Sequence, residues 1–297
     1  MNIYRPLLLL LIAVQIACAQ AANACEVSER QAQVGNGTMP YLIAGPDDAT
    51  PPVFLIHGLF AQKEQWRDVL CALADAGYRP VAPDLPGYGQ TQGYDLSVYP
   101  LEAQVGHLGE FAEKTGLRPQ HVAGNSMGGA IAALYAKTHP ESIRSIAFIG
   151  GPLGIGPWSE TVKTSILSGD NPFIPLTPDA LQFELSMLLV HAPKLSADAQ
   201  AGILMPYRER TTHYVQVWNI VNLYARVLAD NSVHKLPTLI LWGNEDRVFD
   251  VAGARKLADR FPRHRLLTLP DTGHLAMVDS PAEVSQAYIG FLQQISR

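Results

Sequence analysis

Charged side chains are scarce in this sequence, and basic residues are not in excess. Charged residues make up 16% of the 297 positions, and 22 lysines and arginines stand against 27 aspartates and glutamates, a formal net charge of −5. A nucleic acid partner requires a basic surface to neutralise its phosphates, so this class of ligand is excluded. A hydrophobic content of 47% also excludes a disordered chain and provides for one large core.

Spacings typical of metal sites are missing as well. The chain has 9 histidines and 3 cysteines, yet it contains neither a His-Glu-x-x-His nor a Cys-x-x-Cys pattern. Such spacings bring ligands to one side of a helix or turn, where a zinc ion can be held. We therefore expect no metal, and the chemistry inferred below needs no organic cofactor.

A long apolar run at the amino end indicates a targeting segment. Arg5 precedes a nearly continuous apolar stretch over residues 7–19. This is shorter than the ~20 residues of a membrane-spanning helix and fits the core of a signal peptide. Ala22-Asn23-Ala24 is typical of a cleavage site, with a cut after Ala19 as the alternative. Residues 1–24 thus predict export to the periplasm or the medium, and an uncleaved membrane anchor is the alternative.

Two cysteines remain once residues 1–24 are removed. Export to an oxidising compartment permits a disulfide between Cys25 and Cys71. The alternative is a free thiol in each place, one near the new amino end and one in a helix. We expect the disulfide.

Strand and helix patterns alternate along most of the chain. Short apolar runs bounded by Pro or Gly predict buried strands, and apolar residues at helical spacing predict helices. The predicted strands are residues 53–56, 79–84, 121–123, 143–149, 238–242 and 265–269. The predicted helices are residues 66–76, 101–114, 127–138, 251–261 and 281–294. This alternation predicts an α/β fold, a mostly parallel sheet covered by helices on both faces.

The alternation is interrupted over residues 152–234, which we call the insertion. It lacks good strand patterns and contains Pro-punctuated helical pieces, the clearest at residues 179–190 and 213–228. A helical insertion between two strands of an α/β sheet most often covers a ligand site. We therefore predict a core of residues 25–151 and 235–297 with the insertion as its helical cap.

Gly124-Asn125-Ser126-Met127-Gly128-Gly129 contains a Gly-x-Ser-x-Gly pattern between a predicted strand and a predicted helix. A serine on such a turn has a strained backbone, and glycines two residues away on either side prevent collisions. The turn exposes the hydroxyl and directs the amide of Met127 toward a reacting carbonyl. Ser126 is therefore the predicted nucleophile.

A serine nucleophile needs a base, and the base needs an acid that orients it. Among the histidines after Ser126, His274 alone lies in a loop just past a predicted strand. The others lie at the end of the serine's helix, in the insertion or at the start of a strand: His139, His191, His213, His234 and His264. Asp246 follows the strand at residues 238–242 and is the predicted acid, with Glu245 and Asp250 as alternatives.

His57-Gly58-Leu59-Phe60 follows the first apolar strand. The glycine lets the chain turn over the site, so the amide of Leu59 can join that of Met127 in an oxyanion hole. We expect His57 to brace this loop by hydrogen bonds and Asp84 to have a structural role in a tight loop.

These motifs together resemble the α/β-hydrolase superfamily over residues 41–295. They are His57-Gly58, Asp84-x-Pro-Gly-x-Gly, Gly-Asn-Ser-Met-Gly-Gly, Trp-Gly-x-x-Asp ending at Asp246, and Gly273-His274. Within it, the chain is similar to the membrane-anchored monoacylglycerol lipases and to small bacterial lipases and esterases. Ile174-Pro175-Leu176-Thr177-Pro178 in the insertion and the run at residues 251–254 extend that likeness. The resemblance implies a triad of Ser126, Asp246 and His274 and an oxyanion hole of Leu59 and Met127.

The expected function is hydrolysis of carboxylic esters through an acyl-enzyme. The insertion is rich in apolar residues, which indicates an acyl-chain pocket or a surface that contacts lipid membranes. The candidate substrate contacts are Phe60, Phe173, Leu185 and Leu188. Two alternatives remain: a carbon–carbon bond hydrolase of the meta-cleavage type, and a non-catalytic ligand-binding homologue.

Overall fold

One mixed sheet forms the centre of the protein. The computed structural model describes residues 25–49, 52–230 and 235–296, so the predicted leader, its cleavage sites and His234 lie outside the described residues. Eight strands follow the order β1-β2-β4-β3-β5-β6-β7-β8. Their bounds are Val27–Val34 (β1), Gly37–Ala44 (β2), Pro52–Ile56 (β3), Arg79–Pro83 (β4), His121–Gly124 (β5), Ser145–Ile149 (β6), Thr238–Gly243 (β7) and His264–Leu269 (β8).

Six of the strands are parallel, as the alternating pattern predicts. The pairs from β4 through β3, β5, β6 and β7 to β8 are all parallel. β5, β6 and β7 are buried along their whole length, which explains their continuous apolar sequences. The carboxyl ends of these strands therefore meet along one edge of the sheet.

An antiparallel hairpin that the sequence patterns did not predict extends the other side of the sheet. β1 pairs with β2 from Val27↔Ala44 to Val34↔Gly37, and β2 pairs antiparallel with β4. β1 is the edge strand, and most of its side chains are exposed or half-buried. Its polar sequence lacks the apolar run of a central strand, which is why the pattern missed it.

Helices cover both faces of the sheet. The core helices are Arg67–Asp75 (α1), Leu101–Thr115 (α2), Met127–Thr138 (α3), Gly253–Ala258 (α9), Ala276–Asp279 (α10) and Pro281–Ile295 (α11). Two short 3₁₀ helices, Lys63–Trp66 and Leu96–Val98, precede α1 and α2. α1 and α11 pack on one face with Trp66, Leu70 and Tyr288 in the core. α2 and α3 pack on the other with Phe111 and Ile131. The predicted α/β fold is confirmed.

Helix α9 is shorter than the helix predicted at residues 251–261. Asp250 accepts a hydrogen bond from the amide of Ala252 (2.9 Å), so the first residues of this segment form a turn. At the other end, the amide of Arg260 donates a hydrogen bond to the carbonyl of Leu257 (3.0 Å), and the amide of Phe261 donates to that of Ala258 (3.0 Å). These bonds form a tighter turn. Local side-chain and turn bonds thus replace helical ones at both ends.

The insertion is helical over its described residues. Its helices are Glu160–Leu167 (α4), Pro178–Leu188 (α5), Ala197–Glu209 (α6), Thr211–Asn222 (α7) and Val227–Asp230 (α8). α5 and α7 correspond to the two predicted helices, the second of which ends earlier and is followed by α8. α4 and α6 were not predicted, and Pro206 inside α6 obscured its helical pattern.

A disulfide fixes the amino end of the described chain to the core. Cys25 precedes β1, and its sulfur is bonded to that of Cys71 in α1, with a Cα–Cα distance of 5.5 Å. The predicted pairing is thus present. Within residues 25–49, 52–230 and 235–296, no helix combines the length and apolar character needed to cross a bilayer.

Candidate active site

Ser126 lies in a sharp turn between β5 and α3. Its φ of 54° and ψ of −122° are strained for a non-glycine residue. A Cβ on Gly124 would lie 2.1 Å from the carbonyl oxygen of Gly128, and one on Gly128 would lie 2.2 Å from that of Ile56. Both glycines are therefore required where the serine turn packs against β3.

His274 and Asp246 meet at the same edge of the sheet. His274 follows β8 and Asp246 follows β7, and the Nδ1 atom of the imidazole lies 3.0 Å from Oδ2 of the carboxylate. The other oxygen of Asp246 accepts hydrogen bonds from the amides of Val248 (2.8 Å) and Phe249 (3.0 Å). Both side chains are buried. The carboxylate is held rigidly and selects the imidazole tautomer with its proton on Nδ1.

The other candidate acids form no hydrogen bond with His274 in the described structure. Glu245 and Asp250 are exposed, and Asp250 accepts from the amide of Ala252. The remaining histidines have other neighbours in the described structure. His139 stacks on Tyr135, His191 pairs with Asp271, His213 contacts Tyr99, and His264 bonds to the carbonyl of Phe261.

Asn125 connects the turn at residues 124–128, the serine turn, to the loop at residues 270–275 that carries His274, the histidine loop. Its side-chain amide donates to the carbonyl oxygens of Ile149 (2.8 Å) and His274 (3.0 Å). The residue next to the nucleophile therefore fixes the position of the loop that carries the imidazole. No role for Asn125 was predicted from the sequence, although its place between Gly124 and Ser126 was a signal.

The loop after β3 approaches the serine from the other side. A Cβ on Gly58 would lie 3.2 Å from that of Ser126, so only a small residue allows this approach. Met127 is the first residue of α3, where its amide has no acceptor within the helix. Leu59 directly follows Gly58 and lines the same cavity as Ser126. The two predicted oxyanion donors thus lie on the two segments that flank the serine.

His57 braces this loop. Its Nδ1 atom lies 2.8 Å from the carbonyl oxygen of Gly58, and its Nε2 atom accepts from the amide of Leu85 (2.9 Å). Complete burial lowers the pKa of His57 to about 4, so the ring is neutral and fits these two bonds. Asp84 beside it accepts from the amide of Lys63 (2.8 Å) and pairs with its ammonium group (3.1 Å).

A cavity of about 130 Å³ contains Ser126 and His274 in its wall. Its lining is mostly apolar and comes from both the core and the insertion. All four predicted substrate contacts line it: Phe60, Phe173, Leu185 and Leu188. One aromatic ring of the insertion reaches His274 through a ring of the core: Trp158 stacks on Phe249 (4.6 Å), and Phe249 lies edge-on to His274 (5.6 Å).

Asp279 in α10 joins the insertion to the histidine loop. Its carboxylate accepts from the amides of Gly273 (2.8 Å), Val190 (3.0 Å) and His191 (3.2 Å). The carbonyl of Leu188 also accepts from the amide of Leu275 (3.0 Å). No sequence pattern indicated this link, because it depends on two distant segments meeting.

Metal chemistry has no site among the described residues. No group of three or more His, Cys, Asp or Glu side chains in that part of the chain could hold an ion. The polar groups that line the mostly apolar cavity beside Ser126 include an imidazole, amides, hydroxyls and one carboxyl group.

Comparisons with known proteins agree with this architecture. Monoacylglycerol lipase abhd6-B of Xenopus laevis is 28% identical over 274 residues, which cover 88% of this chain and 81% of that protein. Lipase 1 of Psychrobacter immobilis is 27% identical over 252 residues, 82% of this chain and 77% of that protein. A crystal structure of a membrane phospholipase A, a bacterial virulence factor, superimposes with a TM-score of 0.85 at 30% identity and covers 99% of this chain and 93% of its own.

The fold and these relatives define an ester-hydrolysing enzyme of the lipase and esterase type. The model of the alpha/beta hydrolase family matches residues 53–287. The chain therefore belongs to the α/β-hydrolase family, as its motifs suggested.

Proposed function

We propose that this protein is a serine hydrolase that cleaves lipid esters with Ser126, His274 and Asp246 as its catalytic triad. The observation that carries the proposal is the 3.0 Å contact between His274 and Asp246. His274 lines the same cavity as Ser126. A non-catalytic homologue has no need to retain a strained serine, a buried acid–base pair and two glycines that allow the turn.

The proposed reaction is a two-step acyl transfer. His274 takes the proton of Ser126 through Nε2 while the serine oxygen attacks the ester carbonyl. The charged imidazole is stabilised by Asp246 and then gives its proton to the departing alcohol. Water repeats the sequence on the acyl-enzyme, with His274 again as the base, and releases the carboxylic acid.

The amides of Leu59 and Met127 are the proposed donors to the oxyanion. Negative charge develops on the carbonyl oxygen during attack, and backbone amides held in place can stabilise it without reorganising. The position of Met127 at the start of α3 supports this role, since the amino end of a helix favours negative charge.

The proposed substrates are esters of fatty acids. The apolar lining of the cavity and its aromatic rings support an acyl chain as the part bound there. The relatives named above act on monoacylglycerols and phospholipids according to their names. Esters of a fatty acid with a polar alcohol are the substrates that we propose for this chain.

Export and contact with a membrane surface complete the proposal. The disulfide of Cys25 and Cys71 supports an oxidising compartment, in agreement with the predicted leader. Large apolar side chains that are exposed in the described structure all fall on the insertion: Ile166, Leu167, Leu176, Phe183, Val190, Met205, Val215 and Leu223. Such a surface is suited to lipid contact.

The proposal is tested with mature protein and its Ser126→Ala variant. Both are offered p-nitrophenyl esters of increasing chain length and a fluorophosphonate probe. We expect hydrolysis by the wild type that rises toward medium or long chains, with one equivalent of probe on Ser126. The variant should have neither activity nor label. A wild type that neither turns over esters nor reacts with the probe would refute the triad.

A further inference from the structure

Glu184 is a carboxyl group in the apolar wall of the catalytic cavity. It lies on α5 with Leu181, Leu185 and Leu188, and these side chains line the cavity together. Glu184 is only 8% exposed. No described residue donates a hydrogen bond to its carboxyl group or forms an ion pair with it.

A buried carboxyl group without a partner is costly for folding. Burial raises the pKa of Glu184 to about 8, so the group is mostly neutral at pH 7. A neutral carboxyl both donates and accepts a hydrogen bond. Leucine, like its neighbours on α5, would fill the same place without this cost, so packing alone does not explain the residue.

A second polar group in the same cavity lacks a partner. The side-chain Nε2 of Gln65 is buried and forms no hydrogen bond in the described structure, and the residue is 5% exposed. Gln65 lies in the 3₁₀ helix Lys63–Trp66, which packs against α10 behind the histidine loop. Tyr207 also lines the cavity, and its pKa is raised by burial and by the nearby Glu184. The cavity thus holds unsatisfied donors and acceptors in a mostly apolar lining.

Glu184 lies one helical turn from the point where α5 contacts the loop that carries His274. The carbonyl of Leu188 accepts from the amide of Leu275 (3.0 Å), next to His274. Glu184 is four residues earlier on α5, about 6 Å along the helix. In the proposed reaction His274 protonates the leaving alcohol, so the alcohol part of the ester lies beside the imidazole.

We propose that Glu184, together with the side-chain amide of Gln65, forms a subsite for the free hydroxyl groups of the alcohol portion of the substrate. The proposal rests on the triad mechanism above and makes Glu184 a specificity-determining residue. A hydroxyl bound there satisfies the buried carboxyl group, whereas an alcohol without one leaves it unpaired. The enzyme should then prefer polyol monoesters to simple alkyl esters of the same acid.

The test compares the glycerol monoester and the methyl ester of one medium-chain fatty acid. We expect the wild type to favour the glycerol ester in kcat/KM, and Glu184→Leu to reduce that preference about tenfold. Methyl ester hydrolysis should be maintained or increased. Glu184→Gln, which keeps a donor and an acceptor, should retain most of the preference, and Glu209→Leu, at an exposed carboxylate of α6, should leave it unchanged.

Other results would overturn the subsite. The subsite is refuted if Glu184→Leu hydrolyses both esters with the wild-type ratio, or if the wild type cleaves the methyl ester as well as the glycerol ester. In both cases the serine hydrolase stands without the subsite. A second comparison uses the methyl ester of the fatty acid and the methyl ester of the analogue with a hydroxyl group on its acyl chain. Loss of discrimination in that comparison alone would assign Glu184 to the acyl part instead. A wild type inactive on every ester removes the function itself and the subsite with it.

Discussion

At the scale of single residues, Asp246 has two separate tasks. One carboxylate oxygen accepts from the amides of Val248 and Phe249, and the other contacts His274. An amide side chain can satisfy the loop amides but not orient the imidazole with the correct proton. In the proposed mechanism the charge of Asp246 therefore matters for catalysis more than for the fold.

Asp246→Asn should lower kcat by about 10⁴ with little change in KM. The amide can donate to Nδ1 and so favours the tautomer whose Nε2 carries the proton, which cannot act as the base. Steady-state kinetics on a soluble ester measure the loss, and the thermal unfolding temperature checks that the fold is intact. A variant with more than a tenth of wild-type kcat would show that another acid supports His274.

Glu184 makes the stability of the enzyme depend on pH. Its pKa rises from an ordinary 4.5 to about 8 in the folded chain, so the folded state binds the proton more tightly than the unfolded state. The contribution of this group to the free energy of unfolding is therefore greatest below pH 4.5. It falls as pH rises from 4.5 and is lost once pH has risen through about 8.

Glu184→Gln should remove this dependence. At pH 9 the variant is expected to be more stable than the wild type by an amount on the order of a few kcal/mol at most, and near pH 5 the difference should be small. Urea unfolding at several pH values measures it. Burial also raises the pKa of Asp84 and Glu64, so only the difference between variant and wild type isolates Glu184. Equal pH dependence in both proteins would contradict the raised pKa.

At the scale of elements, Asp279 holds α5 and the histidine loop together. Asp279→Ala frees the amides of Gly273, Val190 and His191 and should cost about 1–3 kcal/mol of stability. We also expect a lower kcat and slower labelling by a fluorophosphonate, because the His274 loop loses its support. Asp279→Asn keeps an acceptor, so its stability and labelling rate should lie between those of the wild type and Asp279→Ala. Unchanged labelling by Asp279→Ala would mean that Asn125 alone positions the loop.

The exposed apolar residues of the insertion should bind membranes. Leu167 and Leu223 are 87% and 83% exposed. Their joint replacement by serine should reduce flotation of mature protein with phospholipid vesicles and slow hydrolysis of an ester embedded in them, while soluble esters react as before. Gln293→Ser on the core serves as the control. Equal flotation of the double variant and the wild type would place the lipid contact elsewhere.

The elements that the sequence predicted share one property, which is that their pattern is local. Strands β3 to β8 have apolar runs, and α3 follows a glycine-flanked serine. β1 is polar because it is an edge strand, and the turn at Gly35-Asn36 lies between it and β2. β2 was missed although its buried apolar run at residues 41–44 is a local pattern of the same kind. α6 was hidden by Pro206.

The site divides in the same way. Ser126 follows from its motif, and Asp246 and His274 follow from their places after two strands. The roles of Glu184, Gln65 and Asp279 depend on which side chains surround them after folding. A glutamate among leucines on a helix is equally compatible with an exposed position, so burial could not be predicted from the sequence.

At the scale of the whole molecule, the disulfide closes a loop that contains β1, β2, β3 and part of α1. The sequence separation of 46 residues between Cys25 and Cys71 corresponds to a stabilisation of about 4 kcal/mol at most through the unfolded chain. Cys71→Ala should lower the unfolding temperature without changing kcat, since neither cysteine lines the cavity that contains Ser126. Reductant should lower the unfolding temperature of the wild type but not that of the variant. Both thiols reacting with iodoacetamide in unreduced exported protein would exclude the bond.

The attachment of the insertion by Asp279 has a consequence for recombination between relatives. The carboxylate of Asp279 belongs to the core. On the described part of the insertion it accepts hydrogen bonds only from the backbone amides of residues 190 and 191. Every amino acid except proline offers such an amide. A chimera that receives this helical segment from a distant homologue can therefore re-form the link whatever side chains it brings, provided that neither graft position is proline. Substrate preference could thus be exchanged between family members while the loop that carries His274 keeps its position in the recipient.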